Sequence, residues 1–230
     1  PGATWPRFAT RTVASQIAAK SLPAESLLRR RHLHLPPGQP LVDAGEIAGA
    51  NSAYLSDYLL PDDSPQTRAA GIVIGNFMSE PYYTELRTRQ QLGYIVGSGA
   101  GGSLRQRYLS FTLQSSGYAP DELQRRSEAF LATLPAQFAA LTTAQWETLV
   151  AGARSAYEEK PKSIADKAEQ FFASAYSFVA EWDRRQTGLA ALNELKREDV
   201  AKLLASALAP ETARRRTKIG RASCRERVSL

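Results

Sequence analysis

The chain of 230 residues has one cysteine and two histidines. A single cysteine cannot close an internal disulfide or build a cysteine zinc site. With only two histidines, His32 and His34, a triad or zinc-hydrolase site housed in this chain alone is hard to build. No apolar run approaches the roughly 18–20 residues that span a bilayer, so a membrane span is excluded. The motifs that announce self-contained sites are missing too. There is no His-Glu-x-x-His or His-x-x-Glu-His, no phosphate loop and no Gly-x-Ser-x-Gly elbow. What is present is ordinary globular composition, 43% hydrophobic and 23% charged, which rules out disorder and collagen-like structure.

The net charge of +6 invites a nucleic-acid reading, but the C-terminus distorts it. Lys218–Val228 resembles the translation of a common sequencing adapter, and residues 218–230 are expected to lie outside the domain and to be dispensable. Setting aside Lys218, Arg221, Arg225, Arg227 and Glu226 leaves 25 basic and 22 acidic residues, a net of +3. No basic patch interleaved with aromatics remains, so no nucleic-acid partner is expected. Residues 1–26 read as the end of a preceding domain, with a helix at Phe8–Lys20 and a linker after Pro23. Residues 27–217 read as the main domain.

Within that domain, alternation predicts a strand over Arg31–Leu35, a short one at Leu41-Val42, and another over Asn51–Leu60 closed by Pro61-Asp62-Asp63. His32 and His34 would share one strand face, but no third ligand lies near them. Ala69, Ile72, Val73, Asn76 and Phe77 fall at helical spacing. Ser79 is placed to cap a second helix with Pro81 in its first turn. Tyr94–Ser98 and Tyr108–Gln114 read as a hairpin with Gly99–Gly102 as its flexible tip. On that strand Tyr94 and Val96 would share a face, with Leu92 and Ile95 anchoring the turn. Helices follow to Leu208, two opened by capping signatures at Thr142-x-x-Gln145 and Ser163-x-x-Asp166. Arg214–Thr217 begins a last strand. The order predicts an α+β fold, a mixed or antiparallel sheet with helices packed on one face.

The segment Ser79–Val96 carries the pattern Ser-Glu-Pro-x-Tyr/Phe-x-x-Leu-Arg-Thr-x-x-Gln-Leu-Gly-Tyr-x-Val without a miss. It resembles the C-terminal half of the pitrilysin family, the inverted-zinc-motif peptidases that include insulin-degrading enzyme. Agreement continues at Leu113-Gln114-Ser115, Glu128–Leu131 and Lys160-Pro161-Lys162. The resemblance implies the fourth of four similar domains around a closed chamber, the zinc being held by another domain. This chain would then be a fragment that is inactive alone and binds no metal. Its partners would be peptide substrates and the N-terminal catalytic half of the same polypeptide. Bacterial members of this type are often periplasmic.

Read alone, Arg87 is a solvated helix-end cation and Tyr94 a strand aromatic. The resemblance assigns both to substrate. A peptide carbonyl under hydrolytic attack becomes an oxyanion to which the Tyr94 phenol can donate, while the Arg87 guanidinium holds a neighbouring carbonyl. It also implies a polyanion contact at Lys160 and Lys162, diluted by Glu158 and Glu159. Two other parents fit the same residues: a branch that processes the peptide precursor of pyrroloquinoline quinone, and an inactive scaffold subunit.

Overall fold

The computed structural model describes residues 34–47, 49, 51–103, 105–177 and 181–222. The helix expected at Phe8–Lys20, His32 and most of the strand expected at Arg31–Leu35 lie outside these residues. His34 and Leu35 themselves are not in a strand. The described residues belong to one unit, His34–Leu230.

Five strands form a mixed sheet in the order β1-β5-β2-β4-β3. They are β1 (Leu41–Ile47), β2 (Ser52–Leu59), β3 (Ile95–Ser103), β4 (Gln106–Ser115) and β5 (Arg214–Ala222). β1 runs parallel to β5, and the other pairings are antiparallel. Alternation places Tyr54 and Tyr58 of β2 and Leu109, Phe111 and Leu113 of β4 in the core, while the residues between them in β4 are half-buried. Helices cover the buried face, as the order of elements predicts. On the opposite face Asp57 is buried and ion-paired with Arg216 across the β2–β5 ladder.

Helix α1 (Pro65–Tyr83) opens at Ser64, whose side chain accepts the Thr67 N–H, with Pro65 in the first turn. Its inward residues Ala69, Val73, Ile74, Phe77 and Met78 pack into the core. Tyr82 ends the helix against Phe111, with ring centroids 5.2 Å apart, and its hydroxyl pairs with Ser127. Burial raises the Tyr54 and Tyr82 phenols far above their ordinary range, so both stay protonated. The later helices are α2 (Pro120–Leu131), α3 (Leu134–Ala139), α4 (Thr143–Glu158), α5 (Ile164–Phe172), α6 (Arg184–Asn193) and α7 (Arg197–Leu208). Reciprocal capping boxes are formed at Thr142/Gln145 and Ser163/Asp166. No helix among the described residues is long and apolar enough to cross a membrane.

Three expectations are corrected. Ser79 does not start a helix: α1 runs through it and Pro81 sits inside. The ring removes one backbone donor, and the chain then widens into a π-helical segment, Thr84–Arg89. Gly99–Gly102 is not a tip. It lies within β3, paired with Arg107–Ser110, and the register closes only at Ser103 against Gln106. β5 does not stop at Thr217. Lys218, Ile219 and Gly220 pair with Leu55, Tyr54 and Ala53 on one side and with Asp43, Ala44 and Gly45 on the other. Main-chain groups make those ladders, so a segment with no strand signature of its own can complete them.

Candidate functional site

The π-helical segment positions Arg87. Its wide turns end with the Gln90 N–H donating to the Glu85 carbonyl, and Gln91 then takes a left-handed conformation at φ 53°. That reversal lets the Leu92 N–H reach back to the Leu86 carbonyl at 2.9 Å. Leu86 and Leu92 are both buried and hold the connection down. The chain next passes hard against the end of β4. A Cβ on Gly93 would lie 1.9 Å from the Gln114 carbonyl oxygen, so only glycine allows this approach. Replacing Gly93 with alanine is expected to destabilise the domain by about 1–3 kcal/mol, the usual range for overpacking. Thermal melts would show this, and an unchanged midpoint would mean that the passage relaxes freely.

The close approach delivers two carbonyls to Arg87. Its Nη1 donates to Gly93 O at 2.7 Å and to Tyr94 O at 2.8 Å, and its Nε donates to the Tyr83 hydroxyl at 2.9 Å. The guanidinium carbon lies 4.8 Å from the Tyr94 ring centroid and 5.8 Å from that of Tyr83, within cation–π range. Arg87 is therefore no free helix-end cation. It is tied to the connection it precedes, and it holds Tyr94 at the surface with 83% of the residue exposed.

The structure brings Arg87 and Tyr94 together but changes the expected frame. Tyr94 precedes β3, so strand alternation does not govern it. Val96 is buried while Tyr94 is exposed, so the two do not share a face. Leu92 anchors the turn as expected, but Ile95 is 48% exposed and does not. Tyr83 was missed by sequence reasoning, although its four-residue spacing from Arg87 on a helix is a signal for such a contact. A groove of about 750 Å³ opens along Thr84, Glu85, Arg89, Arg125 and Phe130, but neither Arg87 nor Tyr94 lines it.

Lys160 and Lys162 sit in the connection between α4 and α5. Lys162 is ion-paired with Glu159 at 3.1 Å, which weakens the local positive field. Among the described residues no hydrogen bond or ion pair joins these lysines to Arg87 or Tyr94. No three His, Cys, Asp or Glu side chains among the described residues converge on a metal.

Comparison with known proteins identifies the setting of this geometry. Residues 73–172 match the family model described as PQQ synthase PqqF-like, C-terminal lobe domain 4, a span that contains the whole Arg87–Tyr94 connection. The chain is similar to the C-terminal domains of the pitrilysin, or M16, peptidases. The chain is 28% identical over 207 residues to human insulin-degrading enzyme, covering 89% of the chain and 20% of that protein. It is 35% identical over 94 residues to coenzyme PQQ synthesis protein F of Pseudomonas protegens, covering 41% of the chain and 11% of that protein. The domain thus spans about a fifth of the insulin-degrading enzymes it matches. Among solved structures, pitrilysin superposes with a TM-score of 0.76 at 19% identity over 95% of the chain and 23% of its own length. A peptidase M16 inactive domain from Pseudomonas fluorescens superposes with a TM-score of 0.64 at 17% identity, covering 93% of the chain and 50% of its own. At these identities the superpositions speak for the fold.

Proposed function

We propose that this domain is the substrate-binding, non-zinc wall of a zinc metalloendopeptidase, working on peptides within a closed chamber. The observation that carries the reading is the Arg87 clamp: three protein contacts fix the guanidinium beside an exposed Tyr94 phenol. An arginine already held in place can take a substrate carbonyl with little further loss of freedom. The neighbouring phenol can donate to the oxygen that gains charge when the scissile carbonyl is attacked. The described residues do not fit a metal, so the zinc of this proposal belongs to the N-terminal catalytic half of the same polypeptide. Zinc would supply the hydrolytic nucleophile there. This chain's residues bind, orient and stabilise.

The test is steady-state kinetics on a quenched peptide with the full-length enzyme. Arg87→Ala is expected to raise KM about tenfold, the scale of one hydrogen bond to a charged group, and to lower kcat as well. Wild-type KM and kcat with a normal melt would leave Arg87 a structural residue only. A second reading has its own support. The family model spanning residues 73–172 and the PQQ synthesis relatives favour a parent that acts on a peptide precursor of pyrroloquinoline quinone. Comparing cleavage of such a precursor with that of unrelated peptides by the same enzyme separates the two.

A further inference from the structure

A guanidinium has five N–H donors, and its strong recognition of carboxylates uses two parallel ones along an edge, either Nε with Nη2 or Nη1 with Nη2. In this domain both edges are already spent on one side. Nε donates to the Tyr83 hydroxyl, and Nη1 donates to the Gly93 and Tyr94 carbonyls. The Tyr83 oxygen, 2.9 Å from Nε, stands where one oxygen of a paired carboxylate would sit. Among the described residues Nη2 has no hydrogen-bond partner, and it is not one of the buried unpartnered atoms, so solvent reaches it.

We infer that Tyr83 is a positioning and specificity-determining residue: by occupying Nε it leaves Arg87 only Nη2 to offer, and so limits the site to one acceptor, a backbone carbonyl, and denies a terminal carboxylate its paired contact. This rests on the reading of Arg87 as a substrate contact. Tyr83 is suited to the role because it leaves the α1 helix one turn before Arg87, where i and i+4 side chains meet, and the residue is 45% exposed rather than committed to the core. A phenylalanine there keeps the ring beside the guanidinium and vacates only the oxygen position. The paired edge Nε–Nη2 then opens to a carboxylate.

The experiment titrates the whole 230-residue chain by NMR with two acetylated hexapeptides of one sequence, one ending in a free carboxylate and the other in a carboxamide. Wild type, Tyr83→Phe and Arg87→Ala are compared. The inference expects wild type to show only the modest preference for the acid that a single charge-assisted hydrogen bond gives. Tyr83→Phe should shift the acid-to-amide affinity ratio about tenfold toward the acid, the scale of a second charge-assisted hydrogen bond. Arg87→Ala should weaken both peptides and abolish the difference between the other two proteins. If Arg87→Ala weakens both peptides but Tyr83→Phe keeps the wild-type ratio, the inference is overturned while Arg87 stands as the contact. If neither peptide binds wild type, or Arg87→Ala changes neither affinity, Arg87 is not a substrate contact and both ideas fall.

Discussion

Tyr94→Phe in the full-length enzyme is expected to lower kcat about 10²–10³-fold while leaving KM near its wild-type value, the signature of losing one donor to a developing oxyanion. The substitution removes a hydroxyl and nothing else. The ring that faces the Arg87 guanidinium at 4.8 Å is kept, and so is the Tyr94 carbonyl that accepts from Nη1. Because the residue is exposed and fills no core volume, the thermal midpoint should not move. Kinetics and a melt on the same preparation decide the matter. Retained kcat with a normal melt would reduce Tyr94 to a surface aromatic.

Truncating the chain after Thr217 should unfold or strongly weaken the domain. The segment Lys218–Ala222 is the part of β5 that lies between β1 and the start of β2. Its loss strips β1 of its partner from Asp43 onward and leaves Ala53–Leu55 without a neighbour on that side. Ile219 also packs against the core beside Tyr54. Burial of one such side chain together with the lost ladder bonds amounts to about 3 kcal/mol or more. In a domain of this size that lowers the midpoint by roughly 6–12 °C. Calorimetry on the truncated and intact chains measures it. An unchanged midpoint would restore the expectation that everything after Thr217 is dispensable.

These two predictions also divide what could be read from sequence from what could not. Some features depend on neighbours a few residues apart, and they were legible. The capping boxes at Thr142/Gln145 and Ser163/Asp166 are closed by side chains three positions from their partners. The alternation of Leu109, Phe111 and Leu113 follows from the two-residue period of a half-buried strand. The α+β character, with helices on one sheet face, came from the order of such elements. The pairing of Arg87 with Tyr94 came through the motif at Ser79–Val96, not from periodicity.

The remainder depended on contacts between distant segments. Gly99–Gly102 has turn composition, yet β4 supplies a full row of partners and the chain stays extended. Lys218–Ala222 carries no strand pattern of its own, yet two neighbouring strands present unpaired backbone groups that it completes. Gly93 looks like any loop glycine until the Gln114 carbonyl is placed against it, and that contact brings the Gly93 and Tyr94 carbonyls to Arg87. The sequence by itself determined the capping boxes at Thr142 and Ser163 and the apolar face of β4, and through the resemblance it singled out Arg87 and Tyr94 as a pair to propose. Only the tertiary structure decided where Tyr94 points and which donors of Arg87 remain to offer, because both follow from β4 closing on the end of the π-helical segment.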